Sequence, residues 1–251
     1  MNQSLFLPRL RSILEELDSQ HEAFDAAANH MARAIGSGGL VHLYGSGHSV
    51  IPVMDAFPRY GSYVGLNPLT DPRLMWHNVL GPGGVRELLW LERTEGYVSQ
   101  FLTQRPIAKG DVLIVFSHGG RNAAPVEAAM FGREHGAAVV AVTSSLNLER
   151  PPEHSSGRRL TDFADVTIDT RVPVEDALVS VDGWGPPVAG ASTIVACAVV
   201  GELLARTAAA LLEIGVTQPT FVSPTVPGHS LASNDAVFDA HRRRLLEAES
   251  R

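Results

Sequence analysis

The sequence predicts an α/β fold, a parallel sheet covered by helices on both faces. Three observations predict it. Short apolar runs alternate with segments of helical spacing along the chain, the runs are continuous and rich in Val and Ile, and Gly- and Ser-rich loops join several runs to the helix that follows.

From Leu10 to Ile35, the positions Leu10, Ile13, Leu14, Leu17, Phe24, Met31 and Ile35 recur at helical spacing, and Gly36-Ser37-Gly38-Gly39 ends the stripe. Leu40 to Tyr44 is the first strand. The loop Gly45-Ser46-Gly47-His48-Ser49 leads into a segment that can be helical; Pro52 fits a first turn, and Pro58 should end it. Ser62 to Leu66 reads as the second strand. Asn67 to Gly84 is loop-rich, and Arg86 to Leu102 regains helical spacing, weakened by Gly96. Asp111 to Phe116 is a third strand, followed by Ser117-His118-Gly119-Gly120-Arg121-Asn122 and an Ala-rich helix from Ala123 to His135. Ala137 to Thr143 is a fourth strand, Pro151 to Thr161 a polar loop, and Val166 to Thr170 a fifth strand. Val188 to Ile214 reads as one long helix, apolar on nearly all sides, which belongs in the core or in an oligomer interface. Turn signals at Pro224, Pro227 and Gly228 precede a basic helix around Ala236 to Glu247.

The chain has 251 residues, 45% of them apolar and 19% charged. That is enough to bury a core without disulfides or a structural metal. No repeat or linker divides it, so a single domain over 1–251 is expected, with an N-terminal helix over 4–36, a loop-rich and helical insertion over 67–110, and a helical tail over 219–251. A formal net charge of −7 argues against nucleic acid or anionic lipid as partner. The lone Cys197 lies in an apolar stretch and reads as an inert buried thiol, in keeping with a reducing, cytoplasmic setting. Met1 to Leu10 shows no basic segment followed by an apolar run, so no signal peptide is expected. The run Val188 to Gly201 is too short to span a membrane.

Open parallel sheets bind ligands at the carboxyl ends of their strands, where backbone N–H groups and helix N-termini favour anions. Serines populate those loops: Ser46 and Ser49 after the first strand, Ser117 with Asn122 after the third, Ser144 and Ser145 after the fourth. Each could be an ordinary turn or cap residue. Three such loops together point to a phosphate ester, bound by hydroxyls and N–H groups without a required cation. A dinucleotide site fits less well, because Val50 stands where the last glycine of GxGxxG belongs and no acidic residue closes the second strand. A P-loop and a GxSxG elbow are both lacking. The ten histidines are scattered, with no metal-binding spacing, so neither a metal nor an organic cofactor is expected.

These loops, together with Ala141-Val142-Thr143-Ser144, resemble those of the sugar isomerase (SIS) domain superfamily of phosphosugar isomerases and phosphosugar-binding proteins. More narrowly, the chain is similar to an uncharacterised branch of single-domain members. That likeness is carried by Leu91-Glu92-Arg93-x-Glu95-Gly96-Tyr97, Ser156-Gly157-x-Arg159-Leu160-x-Asp162-x-Ala164-Asp165, Glu175-Asp176-Ala177-Leu178 and Pro219-Thr220-Phe221-Val222-Ser223. The resemblance implies a three-layer αβα sandwich, flavodoxin-like, with a five-stranded parallel sheet. It also implies a homodimer or tetramer whose active site is shared between subunits. By position, Ser46, Ser49, Ser117, Asn122 and Ser144 would hold the sugar phosphate. The wider candidate set for phosphate and sugar adds Gly45, Gly47, His48, His118, Gly119, Arg121, Thr143 and Ser145. Gly119 departs from the family's common Ser-x-Ser-Gly, which removes one hydroxyl.

Aldose–ketose isomerisation needs a base beside the reacting carbon and donors for the developing oxyanion. Glu92 is the first candidate, with Glu95 on the same face if that segment is helical. Asp55 stands where related proteins often carry Glu and is a further candidate; His48, His77 and His229 could assist ring opening or proton exchange, His229 from a neighbouring subunit. A phosphosugar lyase or etherase, or a non-catalytic phosphosugar sensor, would require the same phosphate loops.

Overall fold

The computed structural model describes residues 5–251; Ser4, the start of the expected first helix, lies outside them. The helices α1 (Leu7–Asp18) and α2 (His21–Gly36) lead into β1 (Val41–Gly45), α3 (Val50–Ala56) and β2 (Leu66–Leu69). Then follow α4 (Val85–Leu91), α5 (Tyr97–Leu102), β3 (Val112–Phe116), α6 (Ala123–Glu134), β4 (Ala138–Thr143) and β5 (Val166–Asp169). The hairpin β6 (Ala177–Val179) and β7 (Val188–Gly190) precedes α7 (Ser192–Glu213), and α8 (Asp235–Glu249) closes the chain. The five strands β1 to β5 form one parallel sheet in the order β2-β1-β3-β4-β5, the doubly wound order of flavodoxin-like folds.

The continuous apolar runs are explained by burial on both faces. Side chains alternate across the sheet, so Val41, Leu43, Val112, Ile114, Val140 and Val142 join one core with α1, α2 and α7. Tyr44, Leu113, Val115, Val139 and Ala141 join the other with α4, α5 and α6.

Four elements differ from the sequence expectation, each for a local reason. The helix expected over 4–36 is broken at Ser19 and Gln20, because the Gln20 amide pairs with the open edge of β5. Its Nε2 donates to the Asp169 carbonyl (2.6 Å), and its Oε1 accepts from the Asp169 N–H (2.9 Å). Ser62 to Val64 is not the second strand. The apolar Tyr63 and Val64 are buried by the tail instead, with Val64 donating to Pro219 O (3.0 Å) and Phe221 to Ser62 O (2.8 Å). The true β2 lies just downstream and contains Pro68, tolerated because this is an edge strand. Arg86 to Leu102 is two helices, broken where Gly96 takes a left-handed φ of +85°. The long helix starts at Ser192 rather than Val188, because Val188 to Gly190 pairs antiparallel with β6; a short apolar run does not distinguish strand from helix by periodicity. Asp176 next to that hairpin caps α7, its Oδ1 accepting from Ala191 N–H (3.0 Å) and Ser192 N–H (2.7 Å).

By length and composition α7 could cross a membrane, but Val195, Val199, Leu203 and Leu211 are buried in the core that α2 shares. Elsewhere on α7, Ile194 and Leu212 are exposed, as is Ile214 just past its end. The basic α8 is used to cap. Arg244 donates to the carbonyls of Ile35 and Gly39 (both 2.9 Å), at the carboxyl end of α2 where orphan carbonyls and the helix dipole favour a cation.

At the amino ends of β1 and β3, opposite the serine loops, lies a buried polar cluster. Asp111, 1% exposed, accepts from Leu40 N–H (2.9 Å), Ala108 N–H (3.0 Å), His42 Nε2 (3.2 Å) and Arg251 Nη1 (3.2 Å). Asn67 Nδ2 lies 3.0 Å from His42 Nδ1, so with Nε2 of that ring protonated it donates to the other nitrogen. Burial by itself would push the Asp111 carboxyl up. The hydrogen bonds from His42, Leu40 and Ala108 outweigh it and hold the group below the usual carboxylate range. A carboxyl held low by folding adds stability above its unfolded pKa, roughly 4, and loses it as pH falls through the depressed folded value. Asp111→Ala, which strands several buried donors, is expected to cost about 2–4 kcal/mol in urea unfolding at pH 7. Asp111→Asn should lose less stability than wild type between pH 5 and pH 2; equal acid sensitivity of the two would remove Asp111 from the acid response.

Candidate active site

The loop after β1 folds back on itself because residue 45 has no side chain. A Cβ there would lie 2.2 Å from Ser49 O. Ser49 N–H donates to Ser46 O (3.1 Å), which sets both hydroxyls at the mouth of the strand before α3 begins. After β3, Gly120 takes a left-handed φ of +58°, and its N–H donates to Ser117 Oγ (3.1 Å), a tight turn that ends at Asn122, the N-cap of α6. The loop after β4 pins this second loop from outside: Thr143 Oγ1 (3.2 Å), Ser144 N–H (3.2 Å) and Asn147 Nδ2 (3.1 Å) all donate to the His118 carbonyl.

Between the β1 and β3 loops lies a cleft of ≈ 260 Å³. Ser46, Ser49, Glu92, Ser117, His118 and Arg121 line it, together with Gly119 and Asn122. Glu92 arrives from the C-cap of α4 and is fixed twice. Its carbonyl accepts from Ala124 N–H in the first turn of α6 (2.9 Å), and its carboxylate, only 12% exposed, accepts from Ser46 Oγ (2.9 Å) and Arg93 Nη1 (2.7 Å). The His118 Nε2 is 3.3 Å from the Val174 carbonyl, which can only accept, so that nitrogen carries the proton and Nδ1 is an acceptor. Nδ1 is buried without a partner among the described residues.

Other expected residues lie elsewhere. Ser144 is 1% exposed, and its hydroxyl donates to Val172 O (2.6 Å), so it serves the core rather than the cleft. Thr143 turns to His118 O, and Ser145 Oγ accepts from Arg171 Nη1 (3.2 Å). His48 is exposed and packs against Trp76, ring centroids 4.3 Å apart. His77 and His229 sit on exposed loops and do not line the cleft. Asp55 pairs with Arg59 in a separate groove beside Tyr63 and Cys197. The Cys197 thiol there is half-buried, and burial, then the charge of Asp55, pushes it up, so it stays protonated.

Glu95 does not share a helical face with Glu92, because α4 ends at Leu91 and both residues lie in the turn that leads to α5. Its carboxylate accepts from Ser155 N–H (2.6 Å) and Ser155 Oγ (2.5 Å), bonds that hold it below the usual carboxylate range and anchor the polar loop beside the cleft. Sequence reasoning missed five residues that line the cleft. Arg93, Asn147, Arg150, Glu153 and Val174 come from connecting segments with no regular pattern. Following the strand-end loop past Ser145 would have reached Asn147. It also missed Glu127, whose buried carboxylate accepts from the N–H groups of Gly96 and Ser99 and so fixes the turn after Glu92. Among the described residues no group of three or more His, Cys, Asp and Glu could hold a metal ion.

A family model described as SIS domain matches residues 6–144. The chain belongs to the SIS domain family. A UPF0309 protein of Geobacillus thermodenitrificans is 31% identical over 240 residues, covering 95% of this chain and 90% of the relative. One from Oceanobacillus iheyensis is 35% identical over 241 residues, covering 93% and 95%. Among solved structures, phosphoheptose isomerases from Neisseria gonorrhoeae and Francisella tularensis share the fold, with TM-scores of 0.54 and 0.51. Their identities are 15% and 17%; each likeness covers 80% of this chain, and 94% and 93% of the respective structures.

Within this SIS domain, Gly119 can be tested directly. A Cβ at residue 119 would meet nothing within 4 Å, so a serine fits without moving its neighbours. Gly119→Ser is expected to tighten binding of inorganic phosphate by several-fold, about 1 kcal/mol for one added hydrogen bond, read as a larger thermal shift at matched phosphate concentration. An unchanged shift would place the bound anion away from the second loop.

Proposed function

We propose that this protein binds a phosphorylated sugar or amino sugar in the cleft and interconverts its aldose and ketose forms by proton transfer through an enediol(ate). The observation that carries this reading is the Glu92 carboxylate, largely buried and hydrogen-bonded to Ser46 Oγ at 2.9 Å, among serine hydroxyls at the carboxyl ends of β1 and β3. Ser49, Ser117 and Asn122 supply donors for the phosphate. Glu92 removes the proton from the carbon beside the carbonyl and returns it to the former carbonyl carbon, while the proton of the adjacent hydroxyl passes to the former carbonyl oxygen; the cleft arginines offset the oxyanion that forms between the two steps. His118 lines the cleft and His48 does not, so His118 takes the place of His48 as the group that receives the hydroxyl proton on ring opening. A lyase or etherase would begin with the same proton abstraction, and product analysis separates the two.

The reading includes a cytoplasmic homo-oligomer, dimer or tetramer, with a site shared between copies. The exposed apolar side chains of α7 support an interface, and a neighbouring copy is the source left for His229, which does not line the cleft of its own chain. Light scattering at micromolar concentration is expected to give a multiple of the protomer mass; a monomer would remove the shared site.

A thermal-shift screen of phosphorylated sugars should yield a ligand, and turnover is then read on that ligand. Glu92→Gln keeps the shape and removes the base. It is expected to lower kcat by about 10²- to 10⁴-fold while the ligand-induced shift is retained. Intact turnover in this variant would transfer the role away from Glu92.

A further inference from the structure

The cleft carries guanidinium groups in addition to its serine loops. Three guanidinium groups, Arg93, Arg121 and Arg150, line it against two carboxylates, Glu92 and Glu153. Arg121, 13% exposed at its side chain, is fixed by donation from Nε to Pro151 O (2.8 Å), which leaves the end of its fork free to receive an anion. That place is taken by the chain's own Glu153: Oε1 lies 2.5 Å from Arg121 Nη2, and Oε2 lies 3.6 Å from Arg93 Nε. Arg150 is exposed and has no ion-pair partner among the described residues.

A guanidinium fork recognises a carboxylate or phosphate by parallel N–H bonds, and Glu153 shows that the space between Arg121 and Arg93 accommodates such a group. Glu153 sits in an irregular loop after Pro151-Pro152 with its carboxylate 40% exposed. Glu153 is the exposed end of this pair: an anion that takes its place keeps the largely buried Arg121 paired while the Glu153 carboxylate returns to water, so the exchange costs little. With Glu153 displaced, Arg121 and Arg150 carry no carboxylate partner, while Arg93 keeps Glu92. Ser49, Ser117 and Asn122 line the same cleft and carry no charge, so the phosphate assigned to them leaves the arginines to a different group.

Building on the phosphosugar reading, we infer that the ligand carries a second anionic group besides its phosphate. That group, a carboxylate or a second phosphate on the same sugar, sits between Arg121, Arg93 and Arg150 in place of Glu153. The whole chain does not produce this preference nonspecifically, because its formal net charge of −7 opposes any added negative charge on a ligand.

The experiment uses matched pairs at constant ionic strength, measured by titration calorimetry on the full chain: glucose 6-phosphate against 6-phosphogluconate, and fructose 6-phosphate against fructose 1,6-bisphosphate. The first pair tests a carboxylate and the second a phosphate as the second anion. In at least one pair the doubly anionic member is expected to bind about tenfold more tightly, the size of one charge-assisted contact. Arg121→Gln should bring that ratio close to one while the monophosphate still binds. Arg150→Gln, at an exposed position, should reduce the ratio if Arg121→Gln does not fold. Glu153→Gln should tighten the doubly anionic ligand by several-fold. Equal affinity within both pairs, or a ratio that neither arginine substitution changes, overturns the inference and leaves the phosphosugar reading standing. Binding of none of the four probes counts against the phosphosugar reading and takes the inference with it.

Discussion

Everything about the cleft depends on one topological constraint. The strands β1 and β3 are hydrogen-bonded neighbours, yet the helices that follow them leave to opposite faces of the sheet: α3 contributes Val53 and Ala56 to one core, and α6 contributes Ala124 and Ala128 to the other. Two loops that diverge from adjacent strands leave a crevice between them, and only there can side chains from both meet a ligand. The glycines of the two loops serve this constraint. Gly45 lets the first loop return to within van der Waals range of its own strand, and Gly120 gives the second the left-handed turn that brings Ser117 round.

The crevice is completed from outside the two loops. Glu92 is delivered by the end of α4 and fastened by its carbonyl to the first turn of α6, so the carboxylate is positioned by backbone rather than by a flexible connection. Two other carboxylates, Glu127 and Glu95, do not enter the crevice and instead hold its walls, one by fixing the turn at Gly96 and Ser99, the other by fixing the loop at Ser155. Rigid support of this kind limits the reorganisation needed when charge develops on a bound ligand.

The parallel sheet was legible because burial on both faces leaves an unambiguous signature in runs such as Val112 to Phe116. The serine loops were legible because glycine and serine at a strand end have a mechanical reason to be there. What sequence periodicity could not supply were long-range contacts. Whether Gln20 continues a helix or pairs with the edge of β5 is decided by residue 169, and whether Val188 begins a helix or a hairpin is decided by Ala177 to Val179. The same limit explains Ser144, which has the right chemistry at a strand end but spends its hydroxyl on Val172. It also explains Glu95, whose spacing from Glu92 implied a shared face but whose carboxylate is claimed by Ser155, beyond the end of α4 at Leu91. A sidechain's role is visible in sequence only as far as its partners are.

The Gln20 contact has a wider effect. A sheet of five strands exposes two rims of unsatisfied backbone, which can template another chain's strand. One rim is blunted by Pro68, which lacks an N–H to offer; on the other, the Gln20 amide occupies the N–H and carbonyl of Asp169. Strand addition by another chain is therefore obstructed at both borders, which leaves the helical layers as the open faces of the molecule.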